Sequence, residues 1–476
     1  MKDSTANGEL PAVLVQLVAL FEAHRSVFRQ ERTYLRAMAL LLAELFTFAR
    51  HTVTQGLLAL GLVNADWSAW YRLFSGKRFA EESLSACFFE QTLQHVPEQQ
   101  PYVIGCDATQ IARSSNKMPG TSWLKAPRTP AFKVGIHRAQ RFEHIAWLTP
   151  REEGYSRAIP LRFLPAFPEK AVPAEEAPCR EWEAGLRGSR WVHGQLVQAG
   201  RAEQLLLILG DGQYDTLELW AGLPANSVLA ARTARNRCLY ALPTPHQGRG
   251  RPREYGERAP TPAAWLHVRD GWQETALLVR GRNRSLRYRV EGPFVREGLP
   301  GCPLFLIVVR GKTWHSGKRV VRKRYREPAF YLISAVQREG KWQLPLEVTE
   351  VLAWLWQRWE LEVTHREMKS GLGVGEKQCW GARSTVLSVQ WGVWVYAMLV
   401  LAGYRAWGLL NGPRAPARWW PGANRWSLNT LWRSYRAALW GVAEFQATWP
   451  CTRSNWLQND TWLAALWNSV LGTARA

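Results

Sequence analysis

Three carboxylates in this sequence stand where a metal site would want them. Tyr102 to Cys106 (YVIGC) is a short apolar run that meets Asp107, and Leu205 to Gly210 (LLLILG) is a second that meets Asp211. Each reads as a buried strand ending at an aspartate. Strand ends are where α/β sheets place their chemistry, because the sheet interior has no room for a solvated ion. One such Asp more often caps a turn, but two of them with a helix-borne Glu form a more specific set. That Glu is Glu362, in Leu346 to Leu372 (LEVTEVLAWLWQRWELEVTHREMKSGL). At about 100° per residue, Arg358, Glu362, Arg366 and Lys369 share one helical stripe, a carboxylate flanked by cations. Taken alone, that stripe reads as a solvated face with i,i+4 ion pairs.

The elements that must hold these residues follow from pattern. Thr349 is a candidate cap of the Glu362 helix, Gly371 its stop, and Leu352, Trp356, Trp359 and Val363 its apolar side. Strands are expected at Ala131 to Arg138 and Phe142 to Leu148, which with the strand before Asp107 make an antiparallel meander. A helix from about Glu175 to Ala199, the strand before Asp211, a helix at Tyr214 to Leu223 and a strand at Ser227 to Thr233 follow. Strands first and then alternation suit an α/β fold of the RNase H-like order. From Asp211 to Glu362 is 151 residues (362 minus 211), too long for one strand and one helix. The excess, rich in Gly, Pro and Arg, shows β-like runs at Trp265 to Val268, Thr275 to Val279, Leu286 to Val290 and Leu304 to Val309, which predicts a β-rich insertion. Phe330 to Ala335 returns the chain to the sheet. The expected organisation is therefore a helical N-terminal DNA-binding domain (1–100), a catalytic domain in two parts (101–245 and 329–410) split by the insertion (246–328), and a helical C-terminal region (411–476).

The 476 residues carry 61 Lys and Arg against 39 acidic residues, a formal net charge of +22, which points to a polyanionic partner. The basic residues run through the whole chain rather than along one amphipathic helix, which favours nucleic acid over a membrane surface. Arg249, Arg251 and Arg253 in one basic stretch, and Lys318, Arg319, Arg322, Lys323 and Arg324 in another, flank the insertion strands and are candidate phosphate contacts. Thr52 to Leu62 and Asp66 to Phe74 could form a helix-turn-helix, with Arg72, Lys77 and Arg78 on the DNA. Seven scattered cysteines form no zinc-spaced cluster and suggest a reducing, cytoplasmic setting. The opening MKDSTANGEL does not read as a signal peptide. The apolar run Trp391 to Gly403 is shorter than a membrane span and reads as a buried helix. The 27 tryptophans read mainly as core.

Asp107, Asp211 and Glu362 resemble the catalytic triad of the DDE transposases. In one bacterial insertion-sequence group the Glu helix reads Tyr, two residues, Arg, three residues, Glu, six residues, Lys. Here Arg358, Glu362 and Lys369 match, while Leu355 holds the Tyr position. Gly248 to Gly256 and His51 to Phe74 resemble further parts of the same proteins. The resemblance implies an RNase H-like catalytic domain interrupted by the insertion, double-stranded DNA as substrate, cleavage at the ends of a mobile element, attack by the freed 3′-hydroxyl on target DNA, and a homodimer in the synaptic complex. Hard oxygen donors select Mg²⁺ or Mn²⁺, and two ions would activate the attacking oxygen and stabilise the departing one. Asp107 would bridge both ions, Asp211 would hold one and Glu362 the other, with Arg358 and Lys369 gripping phosphates. A nuclease or resolvase without strand transfer, and a non-catalytic DNA-binding protein of the same fold, are the alternatives.

Overall fold

The computed structural model describes residues 11–126, 135–172, 177–244, 253–316, 322–413 and 425–441. Apolar residues recurring every three or four positions fold the start of the chain into five helices: α1 (Ala12–Ala23), α2 (Glu31–Phe46), α3 (Val53–Ala59), α4 (Ser68–Ser75) and α5 (Glu81–Leu93). The Thr52 hydroxyl caps α3 by accepting from the Gln55 N–H at 3.1 Å. Residues 60–67 join α3 to α4, a longer connection than the tight turn of a helix-turn-helix, and the Trp67 indole pins it to the Leu62 carbonyl at 2.6 Å.

Next come β1 (Tyr102–Ala112), β2 (Ser122–Lys125), β3 (Ile136–Leu148), β4 (Ala158–Pro165), α6 (Glu181–Gln198), β5 (Leu206–Gly210), α7 (Leu217–Ala221), β6 (Ser227–Arg232) and β7 (Tyr240–Ala241). Two expectations are corrected here. The strand before Asp107 runs on through it to Ala112, because its second half pairs antiparallel with β3 as far as Ala112 opposite Ala139. The two strands expected at 131–138 and 142–148 are one strand, β3, with residues 131–134 outside the described residues.

Then follow β8 (Gln273–Val279), β9 (Arg282–Arg296), β10 (Leu299–Val309), β11 (Lys312–Ser316), β12 (Arg322–Arg326), β13 (Ala329–Ser334), β14 (Val336–Arg338) and β15 (Lys341–Gln343). The strand expected at Trp265 to Val268 is instead a 3₁₀ turn, Ala264–His267, which Thr261 initiates by accepting the Ala264 N–H on both its carbonyl and its hydroxyl oxygen. The main sheet has the order β2-β3-β1-β5-β6-β13-β10-β9-β7, with β4 also on β3 and β8 also on β9. It is mixed: β1, β5 and β6 are parallel, and the flanking pairs are antiparallel. Strands β9 and β10, from the β-rich stretch, hydrogen-bond into this same sheet through β13.

The last described elements are α8 (Val348–Gln357), α9 (Trp359–Arg366), a π-turn at Glu367–Gly371, α10 (Ala382–Trp407) and α11 (Leu428–Gly441). Strand alternation sorts the core into two layers. Tyr102, Ile104, Cys106, Leu206 and Ile208 face α5, α6, α10 and the N-terminal helices. Val103, Leu207, Leu209, Val228 and Ala230 face α8 and α9. The expected single Glu helix is broken at Arg358. Its cap position is Glu347 rather than Thr349, since Glu347 O already accepts the Glu350 and Val351 amides. The buried face differs from the expected one: Leu361, Thr364, His365 and Met368 are inside, while Trp359, expected to be buried, is 51% exposed. The apolar run near Trp391 belongs to the 26-residue α10, long and apolar enough to cross a membrane but with its apolar window 94% buried against the rest of the protein.

Candidate active site

Adjacent parallel strands bring two aspartates together. β1 and β5 run in register from Tyr102 opposite Leu206 to Gly105 opposite Leu209. Residues 103, 105 and 107 therefore share a face with 207, 209 and 211. Asp107 projects from the middle of β1, and Asp211 follows β5 directly, where its carboxylate accepts the Gln213 N–H at 2.8 Å and starts a short 3₁₀ turn. On that face α9 crosses β1 above Gly105. A Cβ built there would lie 2.5 Å from Leu361 Cδ1, so only glycine lets the helix come this close. Glu362, the next residue, is thereby delivered beside Asp107.

Arg358 stands between the two carboxylates, 3.9 Å from Asp107 and 3.4 Å from Glu362. Lys369 donates to the hydroxyl of Thr109, two residues past Asp107 on the same strand. The electrostatics are those of a site short of positive charge. Burial, and then the nearby Asp211 and Glu362, push the Asp107 carboxyl up to about 7, against the opposing pull of Arg358 and Lys369. Burial also raises Glu362, with Arg358 opposing and Asp211 adding to the rise.

The family model described as DDE superfamily endonuclease matches residues 23–293, more than half of the chain, and includes both strand-borne aspartates. The chain belongs to the DDE superfamily endonucleases. No curated protein matches it. Membership implies a DNA substrate and the divalent-metal dependence general to DDE nucleases.

In this DDE endonuclease the donor types suit a hard divalent ion: three carboxylates flank one sheet face, and the neighbouring acids add to the raised proton affinity of Asp107 and Glu362. They are coupled without being gathered. Among the described residues no three His, Cys, Asp or Glu side chains stand close enough to form a ready ligand cluster. Arg358 fills the gap between Asp107 and Glu362.

The structure also surrounds the site with residues that sequence reasoning missed. His365 on α9 lies 3.8 Å from Asp107, and its other ring nitrogen is 3.0 Å from His144 on β3. Burial holds both imidazoles well below their ordinary range, His144 near 3. Glu143, fully buried on the opposite face of β3, accepts from the Tyr214 hydroxyl at 2.7 Å, and burial raises its carboxyl well above the carboxylate range. Glu360, given no role from sequence, is 2% exposed and pairs with Arg280 at 2.9 Å and Arg425 at 2.6 Å. Helical spacing could have placed His365 beside Glu362, but nothing local marks its partner.

Of the expected DNA contacts, Arg366 is exposed and lines a groove of about 690 Å³ that starts at Glu362 and runs past Lys369 to Arg50, His137 and Gln378. Arg72, Lys77, Arg78 and Arg253 are exposed away from that groove's lining. Arg249, Arg251, Lys318 and Arg319 lie outside the described residues, and Arg322, Lys323 and Arg324 are described only as backbone of β12. Leu355, in the Tyr position, is buried and lines a second cavity of about 470 Å³ with Tyr331, Arg232, Arg326 and Arg358.

Proposed function

We propose that this endonuclease is a DNA transposase of a bacterial insertion sequence. It binds the element's ends, cleaves them with two Mg²⁺ or Mn²⁺ ions held by Asp107, Asp211 and Glu362, and joins the freed 3′-hydroxyls to target DNA. The observation that carries this reading is that two in-register strand aspartates and one helix glutamate flank a single sheet face and are electrostatically coupled there. Bound there, the ions would deprotonate the attacking oxygen and stabilise the departing alkoxide.

The chain's own residues do the rest. Arg358, held against both carboxylates in the free protein, is one cation placed to meet a scissile phosphate, and Lys369 and Arg366 extend that charge along the groove. Arg50 places the N-terminal helical region on the same groove, fastened there by the buried Lys377–Glu44 pair at 2.5 Å and by the His51 N–H on Glu376. Arg72, Lys77 and Arg78, with the basic residues on either side of β8 to β10, supply contacts to the DNA ends. Two ends held together require two copies of the chain, so the working form is a homodimer on DNA in the bacterial cytoplasm.

The test is cleavage and joining of a labelled DNA carrying the element's presumed end, with Mg²⁺, comparing wild type with Glu362→Gln. The wild type should join ends to target DNA, and the variant should bind the same DNA without cutting it. Equal behaviour of the two proteins refutes the assignment of Glu362. Cleavage without joined product points to a nuclease instead.

A further inference from the structure

Asp107 has a neighbour for which the cleavage reading has no use. His365 lies on α9 one turn after Glu362, with Nδ1 3.8 Å from Asp107 Oδ2 and Nε2 3.0 Å from His144 Nδ1. His144 stands directly opposite Asp107 in the β1–β3 ladder. The three side chains thus form a row beneath the site, with His144 fully buried and His365 at 9% exposure.

The row admits two proton arrangements, and burial separates them. The contact between the rings needs one N–H. If His365 donates it from Nε2, the His144 proton must sit on Nε2, which is buried and has no partner among the described residues. A buried N–H without an acceptor is rare and costly. Once Asp107 is ionised, that arrangement also leaves a bare lone pair on His365 Nδ1 facing a carboxylate oxygen. If His144 donates from Nδ1 instead, its unpartnered Nε2 is only a lone pair, and the His365 proton sits on Nδ1, facing Asp107. Both faults vanish together.

We propose that His365 is a positioning residue for Asp107, presenting Nδ1–H to the carboxylate in a tautomer fixed by His144. The proposal rests on the reading of Asp107 as a metal ligand. At 3.8 Å the contact is an approach rather than a hydrogen bond. It closes when Asp107 is ordered for metal. Arg358 approaches the same oxygen at 3.9 Å, so Oδ2 is the oxygen these two side chains restrain, and Oδ1 would be left to meet an ion. A donor that fixes a ligating side chain typically changes metal affinity by about 10- to 100-fold.

Two measurements on the full chain test this. In ¹⁵N-histidine-labelled, metal-free protein, with the His365 signal assigned by its loss in His365→Asn, the ring proton should be on Nδ1. A proton on Nε2 overturns the proposal. Mn²⁺ binding followed by electron paramagnetic resonance should weaken about 10-fold or more in His365→Ala. It should recover in His365→Asn, whose amide N–H occupies the Nδ1 position, with DNA affinity unchanged in both. His144→Phe should weaken Mn²⁺ binding in the wild-type background and add nothing to His365→Ala. Asp107→Asn serves as the reference. If it loses Mn²⁺ binding while His365→Ala keeps it, the positioning role is wrong and the metal site stands. If Asp107→Asn also binds Mn²⁺ as the wild type does, the metal-site reading fails and this inference with it.

Discussion

A methyl group at position 105 tests whether the close approach of α9 to β1 sets the active site. A Cβ on Gly105 would lie 2.5 Å from Leu361 Cδ1, 3.1 Å from Cγ and 3.2 Å from Cδ2. Carbon atoms pack at about 3.5 to 4.0 Å, so the nearest methyl must retreat by about 1 Å. Leu361 is fully buried and has no solvent to swing into, so the displacement passes to α9. Overpacking of this kind costs about 1 to 3 kcal/mol. The functional loss should be larger, because Glu362 adjoins Leu361, and misplacing a reacting group by about 1 Å can cost about 10²-fold in rate. Gly105→Ala is therefore expected to stay folded in urea titrations and to cleave a labelled end roughly 100-fold more slowly. Adding Leu361→Val removes one carbon beside the new methyl and should restore most of the rate. Wild-type cleavage by Gly105→Ala would refute the reasoning, as would a folded double variant as slow as the single one.

Further expectations concern charge. In metal-free protein the Asp107 carboxyl is raised to about 7, against about 3.9 in the unfolded chain, chiefly by burial. Between those values the folded state keeps a proton that the unfolded state has released, so stability falls as pH rises from about 4 to about 7, by about 4 kcal/mol in all. Urea unfolding in a chelator at both ends of that window should show a shallower slope in Asp107→Asn than in wild type, the remainder coming from the other raised carboxyls, Glu143 and Glu362; equal slopes would contradict it. Asp215 is fully buried between Arg296 at 2.7 Å and Arg237 at 2.5 Å. Asp215→Ala strands the buried Arg296 and should cost about 3 to 5 kcal/mol by chemical denaturation, a loss under about 1 kcal/mol being incompatible with that. Glu360→Gln should cost about 3 kcal/mol, nearly all through Arg425, which is 13% exposed, because Arg280 is 44% exposed and gains little from its partner. If Arg425→Met and Glu360→Gln destabilise additively, the two are not acting as a pair.

What could be read from the chain, and what could not, divides by the distance over which the deciding contact acts. The strands bearing Asp107 and Asp211 are legible because a continuous apolar run followed by an acid is local information, and parallel pairing of β1 with β5 then fixes their common face. The position of Glu362 on a helix is legible for the same reason. The rotation of that helix is not. The stripe drawn for an unbroken helix puts Trp359 inside and leaves Glu360 idle. In the fold Trp359 is exposed and Glu360 is buried on Arg280 and Arg425, 80 and 65 residues away (360 minus 280, 425 minus 360). The far half of β1 is not legible because Asp107, a poor strand former, ends the apolar run, and residues 108–112 are held by pairing with β3. His144 and His365 are separated by 221 residues, and each alone is an ordinary helix or strand histidine. Their meaning exists only once β3 has paired with β1 and α9 has settled over Gly105. The same packing that brings Glu362 to Asp107 therefore brings His365 there too, and a substitution that moves α9 should disturb both contacts together.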